Sequence, residues 1–313
     1  MAGRLKKTKK LKLRRRLLSL CFTLLIMLMI VIGIETYSYQ KAKQTAAKDN
    51  HIKQEEIDFN GHESKTGKTN VLLLGVDARG NIKDSNSDTM IVAQYDSSNN
   101  NIKIVSFMRD MYVNIPGYSG KKKMNSSFLL GGPELVRQTI KQDFGIDVEY
   151  YVMIDFKGFE KVIDALAPKG IEVNVEKSMS QNIGVSLQPG VQKLNGKELL
   201  GYSRFRHDSE SDFGRVKRQQ KVIEIVADEV LSANGILKAP KLLGTIQPYV
   251  TTNLSETDAL GYIKDIILNR PKINQTLSLP IKGSYTNARV PVFKDVLEID
   301  EEANRKALNE FFK

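Results

Sequence analysis

Four arginines and a glutamine crowd one stretch of this 313-residue chain: Arg204, Arg206, Arg215, Arg218 and Gln219, interleaved with acids. Planar guanidinium forks match phosphate oxygens two at a time, so these residue types point to a phosphate or pyrophosphate clamp. Arg204 and Arg206 alternate around Phe205, which is strand spacing and sets both on one face. Asp212 reads as an N-cap or first-turn acid for a helix running to about Glu229. On that helix Arg215, Arg218 and Gln219 fall at i, i+3 and i+4, along one side. Its N-terminus would add partial positive charge and free N–H groups. The same side turns apolar at Val222, Val226 and Val230. At 1.5 Å per residue the stripe runs roughly 22 Å, gripping anions at one end and greasy at the other. That suits an amphiphile with a phosphorylated head and a hydrocarbon tail. Each half also has an ordinary reading, as a solvated charged face and as a core-facing row of valines.

The elements that would position these groups begin with Asn70 to Gly75, a continuous apolar run read as a buried central strand. It ends in Val76-Asp77-Ala78-Arg79-Gly80. Further strands are predicted at Met90–Tyr95, Lys103–Phe107 and Met111–Ile115. Asp77 with Arg79, Asp88, and Arg109 with Asp110 therefore stand where apolar strands stop, as side chains of a site at one sheet edge do. Arg109 and Asp110 could equally form an internal salt bridge. Helices are predicted at Ser126–Leu130, Glu134–Phe144, Phe156–Leu166, Gly196–Tyr202, Arg215–Leu231, Pro240–Tyr249, Glu256–Leu268 and Glu301–Phe312. Strands are predicted at Tyr150–Ile154, Ile171–Val175 and Gln275–Leu279, with a long loop over 176–195. This alternation predicts an α/β fold, a mixed central sheet sandwiched by helices.

The net charge of +11 is misleading, because the first sixteen residues hold nine Lys or Arg and no acid. The remainder carries 38 basic against 36 acidic residues. Its arginines are clustered locally, which suits a discrete anion better than a nucleic-acid backbone. Leu17 to Ile34 carry no charge, and their length just reaches across a hydrocarbon core of about 30 Å. Gly33-Ile34-Glu35-Thr36-Tyr37 offers no good cleavage site for a signal peptide, so an uncleaved anchor is expected. The positive-inside rule then sets residues 1–16 as a cytoplasmic tail, 17–34 as the transmembrane helix, 35–69 as a spacer and 70–313 as one extracytoplasmic domain. Cys21 is the single cysteine and lies in the anchor, which leaves the domain without thiol chemistry. His51, His62 and His207 are too scattered for a zinc site. Gly61 to Thr69 imitates a phosphate-binding P-loop, but has one residue too many between its glycines and precedes a strand instead of following one.

Taken together, the segments resemble the LytR-CpsA-Psr family of bacterial cell-wall enzymes. The resemblance is carried by Leu72 to Arg79, Ser87-Asp88-Thr89, Ser106 to Asp110, and Lys123-Met124-Asn125 ahead of Gly131-Gly132. Tyr151 to Phe156, Tyr202 to Arg206 and Asp212 to Gln220 continue it. It implies a phosphotransferase that moves a glycopolymer, such as wall teichoic acid or capsule, from a polyprenyl-pyrophosphate carrier to peptidoglycan. By position, Arg79, Arg109, Arg204, Arg206, Arg215, Arg218 and Gln219 would bind the pyrophosphate. Asp77 and Asp88 would hold Mg²⁺, or Mn²⁺ in its place. Asp110 and Asp212 match motif acids and join Arg79 and Arg109 as catalytic candidates, with neither acid singled out as base. Met108 departs from a common proline, and Ala167-Pro168-Lys169-Gly170 from a usual Gly-Gly turn; neither is a charged motif position.

Two other roles follow from the same residues: a non-catalytic, membrane-anchored binder or regulator sensing polyprenyl-linked intermediates, and a DNA-binding regulator. The resemblance also allows pyrophosphate hydrolysis as a side activity. A DNA-binding role needs Arg204–Gln219 in the cytosol. Protease added to intact protoplasts is expected to cleave within that segment; protection of it would overturn the topology.

Overall fold

The apolar run after Thr69 forms β1 (Thr69–Val76), followed by β2 (Ser87–Asp96), β3 (Asn101–Phe107), β4 (Met111–Val113) and β5 (Lys122–Lys123). Helix α1 (Ser126–Phe144), strand β6 (Tyr150–Asp155), helix α2 (Phe156–Leu166), the hairpin β7 (Ile171–Val175) and β8 (Gly190–Leu194), and helix α3 (Gly196–Arg204) come next. Then follow α4 (Ser211–Leu231), β9 (Val250–Thr252), α5 (Glu256–Asn269), β10 (Lys272–Leu279), β11 (Tyr285–Val290), β12 (Lys294–Ile299) and α6 (Glu301–Phe312). This computed structural model describes residues 37, 39–41, 43, 44, 57–64, 67–77, 85–232, 242 and 244–313. The predicted tail and anchor, and Arg79, lie outside them. No helix among the described residues is long and apolar enough to cross a membrane.

The central sheet has the order β10-β3-β2-β1-β6-β9 and is mixed, as predicted: β1 runs antiparallel to β2 and parallel to β6, and β3 parallel to β10. Alternation of side chains gives it two unlike faces. Leu72, Leu74, Met90, Val92, Val105, Tyr151 and Met153 point into a core completed by α1 and α6. Leu73, Gly75, Ile91, Val152 and Ile154, one residue out of phase, face the other way and line a cavity. A second core, with Ile163, Val173, Leu199 and Tyr202 in it, holds α2, α3 and the β7–β8 hairpin together on that side.

Several boundaries differ from expectation for identifiable reasons. The two helices predicted on either side of Gly131-Gly132 are present, and form a continuous element interrupted only where Gly131 and Gly132 leave helical geometry. Segment 204–206 is not a strand. An Asn195–Glu198 capping box starts α3, and the burial of Leu199, Leu200 and Tyr202 carries it through Arg204. β9, β11 and β12 escape the sequence pattern because β11 is half exposed and polar, and β12 gains its partner β4 from a distant segment. Residues 57–64, inside the predicted spacer, pack on the domain: the Phe59 ring lies 4.8 Å from that of Tyr151, and the His62 N–H donates to the Val148 carbonyl at 3.0 Å.

Helix α4 is fixed against the sheet by one buried amide. Gln220 Nε2 donates to Ser106 Oγ (2.9 Å), the Leu277 carbonyl (3.1 Å) and Ser278 Oγ (3.2 Å), tying the helix to β3 and β10 together. Gln220→Ala would leave buried acceptors unmatched. A loss of about 1–3 kcal/mol is expected, read as a lowered thermal midpoint.

Candidate active site

Arg109 and Asp110 occupy the link between β3 and β4, whose backbone is held from three directions. The Met108 N–H donates to the Leu279 carbonyl at 3.0 Å, the Asn125 N–H to the Arg109 carbonyl at 3.2 Å, and the Leu297 N–H to the Asp110 carbonyl at 2.8 Å. Arg109 Nη1 then reaches Asp88 Oδ1 at 2.6 Å, and Lys123 Nζ holds Asp110 Oδ1 at 2.7 Å. Asp88 is where it is because of a bulge. Gly75 pairs with Thr89 but Val76 with Ser87, so Asp88 is the extra residue of β2. Bulges re-aim side chains in this way.

The first turn of α4 supplies the other half. Asp212 is a buried first-turn acid that caps nothing; its carboxylate instead meets Arg206 Nε at 3.0 Å, Arg215 Nη2 at 3.1 Å and Arg109 Nε at 3.9 Å. Burial opposes the charge of both inner arginines. For Arg109 the carboxylates of Asp88, Asp212 and Asp110 outweigh it and raise the pKa. For Arg215 burial prevails, with Arg109 and Arg206 adding repulsion, and the pKa falls. Arginine stays protonated regardless, so Arg215 is a buried cation with incomplete compensation, which an arriving anion would complete. The Nε atoms of Arg109 and Arg215 are buried and make no well-aligned hydrogen bond.

Of these groups Asp88, Arg109, Arg206 and Arg215 line a cavity of about 750 Å³, whereas Asp77, Asp110 and Asp212 are not in its walls. Asp88, Arg109, Arg204, Arg206, Arg215 and Gln219 line its polar part; the out-of-phase sheet face, Phe156, Phe159 and Val222 line the rest. Arg204 lies with its guanidinium 4.4 Å from the Phe156 ring centre, at the border between the two. Arg218 is not in the walls. Its Nη2 donates to the Phe205 carbonyl at 2.6 Å and its Nη1 to Asp208 Oδ2 at 3.0 Å, which makes it a brace for the segment carrying Arg204 and Arg206. Val226 and Val230 also lie outside the walls and pack against the second core. The apolar space runs between α4 and the sheet instead of along the helix.

The sequence profile of the LytR_cpsA_psr family matches residues 32–308. The chain belongs to that family. "Regulatory protein MsrR" of Staphylococcus aureus (strain COL) is 44% identical over 277 residues, covering 88% of this chain and 83% of the relative. "Polyisoprenyl-teichoic acid--peptidoglycan teichoic acid transferase TagU" of Enterococcus faecalis (strain ATCC 700802 / V583) is 36% identical over 191 residues, 60% of this chain and 62% of its own. The solved structure "TagT bound to LI-WTA" superposes with a TM-score of 0.62 at 26% identity, over 82% of this chain and 93% of the other.

In this LytR_cpsA_psr protein no group of three potential ligands among His, Cys, Asp and Glu gathers anywhere among the described residues. Asp77, one residue beyond β1, and the bulged Asp88 sit at neighbouring strand ends. Two carboxylates are few; among divalent cations, Mg²⁺ is one that keeps several waters and takes substrate phosphates as ligands, and so asks little of the protein. Sequence reasoning missed Phe156, Phe159, Ser203 and His207 in the walls. The strand parity of Leu73, Gly75, Val152 and Ile154 was a usable signal, hidden because β1 is apolar on both faces.

Clamp and brace should separate in experiment. Arg218→Ala breaks a buried pair, and a stability loss of about 3–5 kcal/mol is expected in thermal or denaturant melts. Arg206→Ala removes a side chain that is 38% exposed. It is expected to weaken inorganic pyrophosphate binding in calorimetry while leaving the melting temperature nearly unchanged.

Proposed function

We propose that this protein is a phosphotransferase that moves an anionic glycopolymer from a polyprenyl-pyrophosphate carrier to a sugar hydroxyl of peptidoglycan. The observation that carries this reading is the junction of an arginine-lined mouth with an apolar cavity, the two halves an amphiphilic diphosphate needs. The names of the TagU and TagT relatives support the substrate class. The uncharged run Leu17–Ile34 supports a single-pass anchor, with the domain outside the cytosol.

In the proposed reaction the acceptor hydroxyl oxygen attacks the phosphorus that bears the glycopolymer. The bond from that phosphorus to the bridging oxygen breaks, polyprenyl phosphate leaves with that oxygen, and the acceptor's proton ends on the leaving phosphate or in water. A phosphodiester remains. Arg109, Arg206 and Arg215 are already gathered where negative charge accumulates, so little reorganisation is needed as the bond breaks. Asp77 and Asp88 would hold Mg²⁺ or Mn²⁺, which when bound supplies further charge neutralisation at the phosphates. Phe156 and Phe159 keep the lipid end of the site dry.

Binding without turnover is a second reading, favoured by the name of the 44%-identical relative, a regulatory protein. Full-length protein in detergent, incubated with polyprenyl-linked polymer and peptidoglycan oligomers, separates the two. Mg²⁺-dependent formation of a covalent polymer–glycan product is expected; binding with no product would sink the enzyme reading. Arg109→Ala should lower turnover about 10²–10³-fold, the loss of about 2.7–4 kcal/mol typical of a removed oxyanion donor.

A further inference from the structure

The loop between β7 and β8 was read from the sequence as irregular, but it is anchored like a structured element. Met179, Ile183 and Leu187 are buried in the second core, and Met179 and Leu187 exchange both backbone hydrogen bonds, at 3.0 and 2.8 Å. Helix α3 comes close to it at Gly201, where a Cβ would lie 2.4 Å from Val185 Cγ2. From this fixed base the tip extends to the cavity mouth. Gln181 and Asn182 are exposed, and both line the wall beside the arginines. Asn182 has φ 59°, a left-handed conformation that asparagine tolerates. Its Nδ2 lies 3.3 Å from Nε2 of His207, which is also exposed and also in the wall. Exposed polar side chains that line a cavity wall from a fixed base are available to a ligand.

Their chemistry narrows the ligand. A phosphate would be met by cations, and a hydrocarbon by apolar surface; both are supplied elsewhere in the walls of the same cavity. Two amides and an imidazole offer neutral donors and acceptors, which suit hydroxyl and acetamido groups. We infer that Gln181, Asn182 and His207 form a subsite for a hydroxyl- or acetamido-bearing pyranose next to the pyrophosphate. The inference rests on the phosphotransferase reading, which offers two such sugars: the donor residue attached to the diphosphate, and the acceptor.

Binding of farnesyl pyrophosphate and of farnesyl-pyrophosphoryl N-acetylglucosamine to the full chain in detergent tests this. The unaltered protein should bind the sugar-bearing probe more tightly. If the subsite takes the donor sugar, Asn182→Ala/His207→Ala and Gln181→Ala should each erase about tenfold of that gain and leave affinity for the sugar-free probe unchanged. If it takes the acceptor, both probes should bind as before while KM for peptidoglycan oligomers rises about tenfold. Variants that change neither quantity would overturn the inference. Failure of the unaltered protein to bind the sugar-free probe would instead overturn the pyrophosphate reading, and the subsite with it.

Discussion

One carboxylate shared by three guanidinium groups is the constraint on which the site rests. At an effective dielectric near 20, two like charges about 4 Å apart repel by about 4 kcal/mol, so arginines do not gather at a cavity mouth unaided. Asp212 gathers them, meeting Arg206 and Arg215 closely and Arg109 at the edge of contact. Its own position, in the first turn of α4, is favourable for a negative charge. A single acid cannot neutralise three cations. Asp88 and Asp110 add counter-charge at Arg109, but Lys123 shares Asp110, so three carboxylates face four cations. The cluster is thus held in place and still carries surplus positive charge. Such an arrangement binds an anion without first having to assemble.

Holding the cluster depends on elements that never touch a ligand. Gln220 fixes the depth of α4 against the sheet, and so fixes Asp212 and Arg215, about two turns and one and a half turns earlier on the same helix. Arg218 ties that helix back to the Phe205 carbonyl and Asp208. The Arg109–Asp110 link is fixed by backbone bonds from β10, the start of α1 and β12. Three of the arginines that look alike in the sequence therefore do different work: Arg215 faces the cavity, Arg218 supports, and Arg204 lies on an aromatic ring.

The sequence was most legible where chemistry and periodicity coincided. The strand β1, the helix carrying Arg215 and, among the described residues, Asp77, Asp88, Arg109 and Asp110 near strand ends were found from pattern. The family resemblance rests on those same segments, and the profile match covers them. Legibility failed where an outcome depends on distant partners. The periodicity of Arg215, Arg218 and Gln219 places all three on one side of α4, but cannot say that Asp208 and the Phe205 carbonyl take Arg218 out of the cavity. Likewise the valine stripe is real, yet of the three only Val222 reaches the cavity, while all three pack in or against the second core. The polar strand β11 carries no apolar alternation to read, and its pairing is visible only once β12 is docked.

The helix that joins head and tail regions also sets how selective the site can be. Arg215 and Val222 are seven residues apart on α4, about 10 Å along its axis at 1.5 Å per residue. Both lie in one cavity wall, so the spacing from charge to hydrocarbon is fixed by a rigid element and not by a mobile loop. A free polymer phosphate would satisfy Arg215 but leave the apolar wall in contact with water. A hydrocarbon without a diphosphate would cover that wall but leave Arg215 buried with its charge under-compensated, the condition its lowered pKa reports. Each half-ligand forfeits what the other half would gain. On the proposed function, such an arrangement would favour the joined amphiphile over either fragment without added contacts.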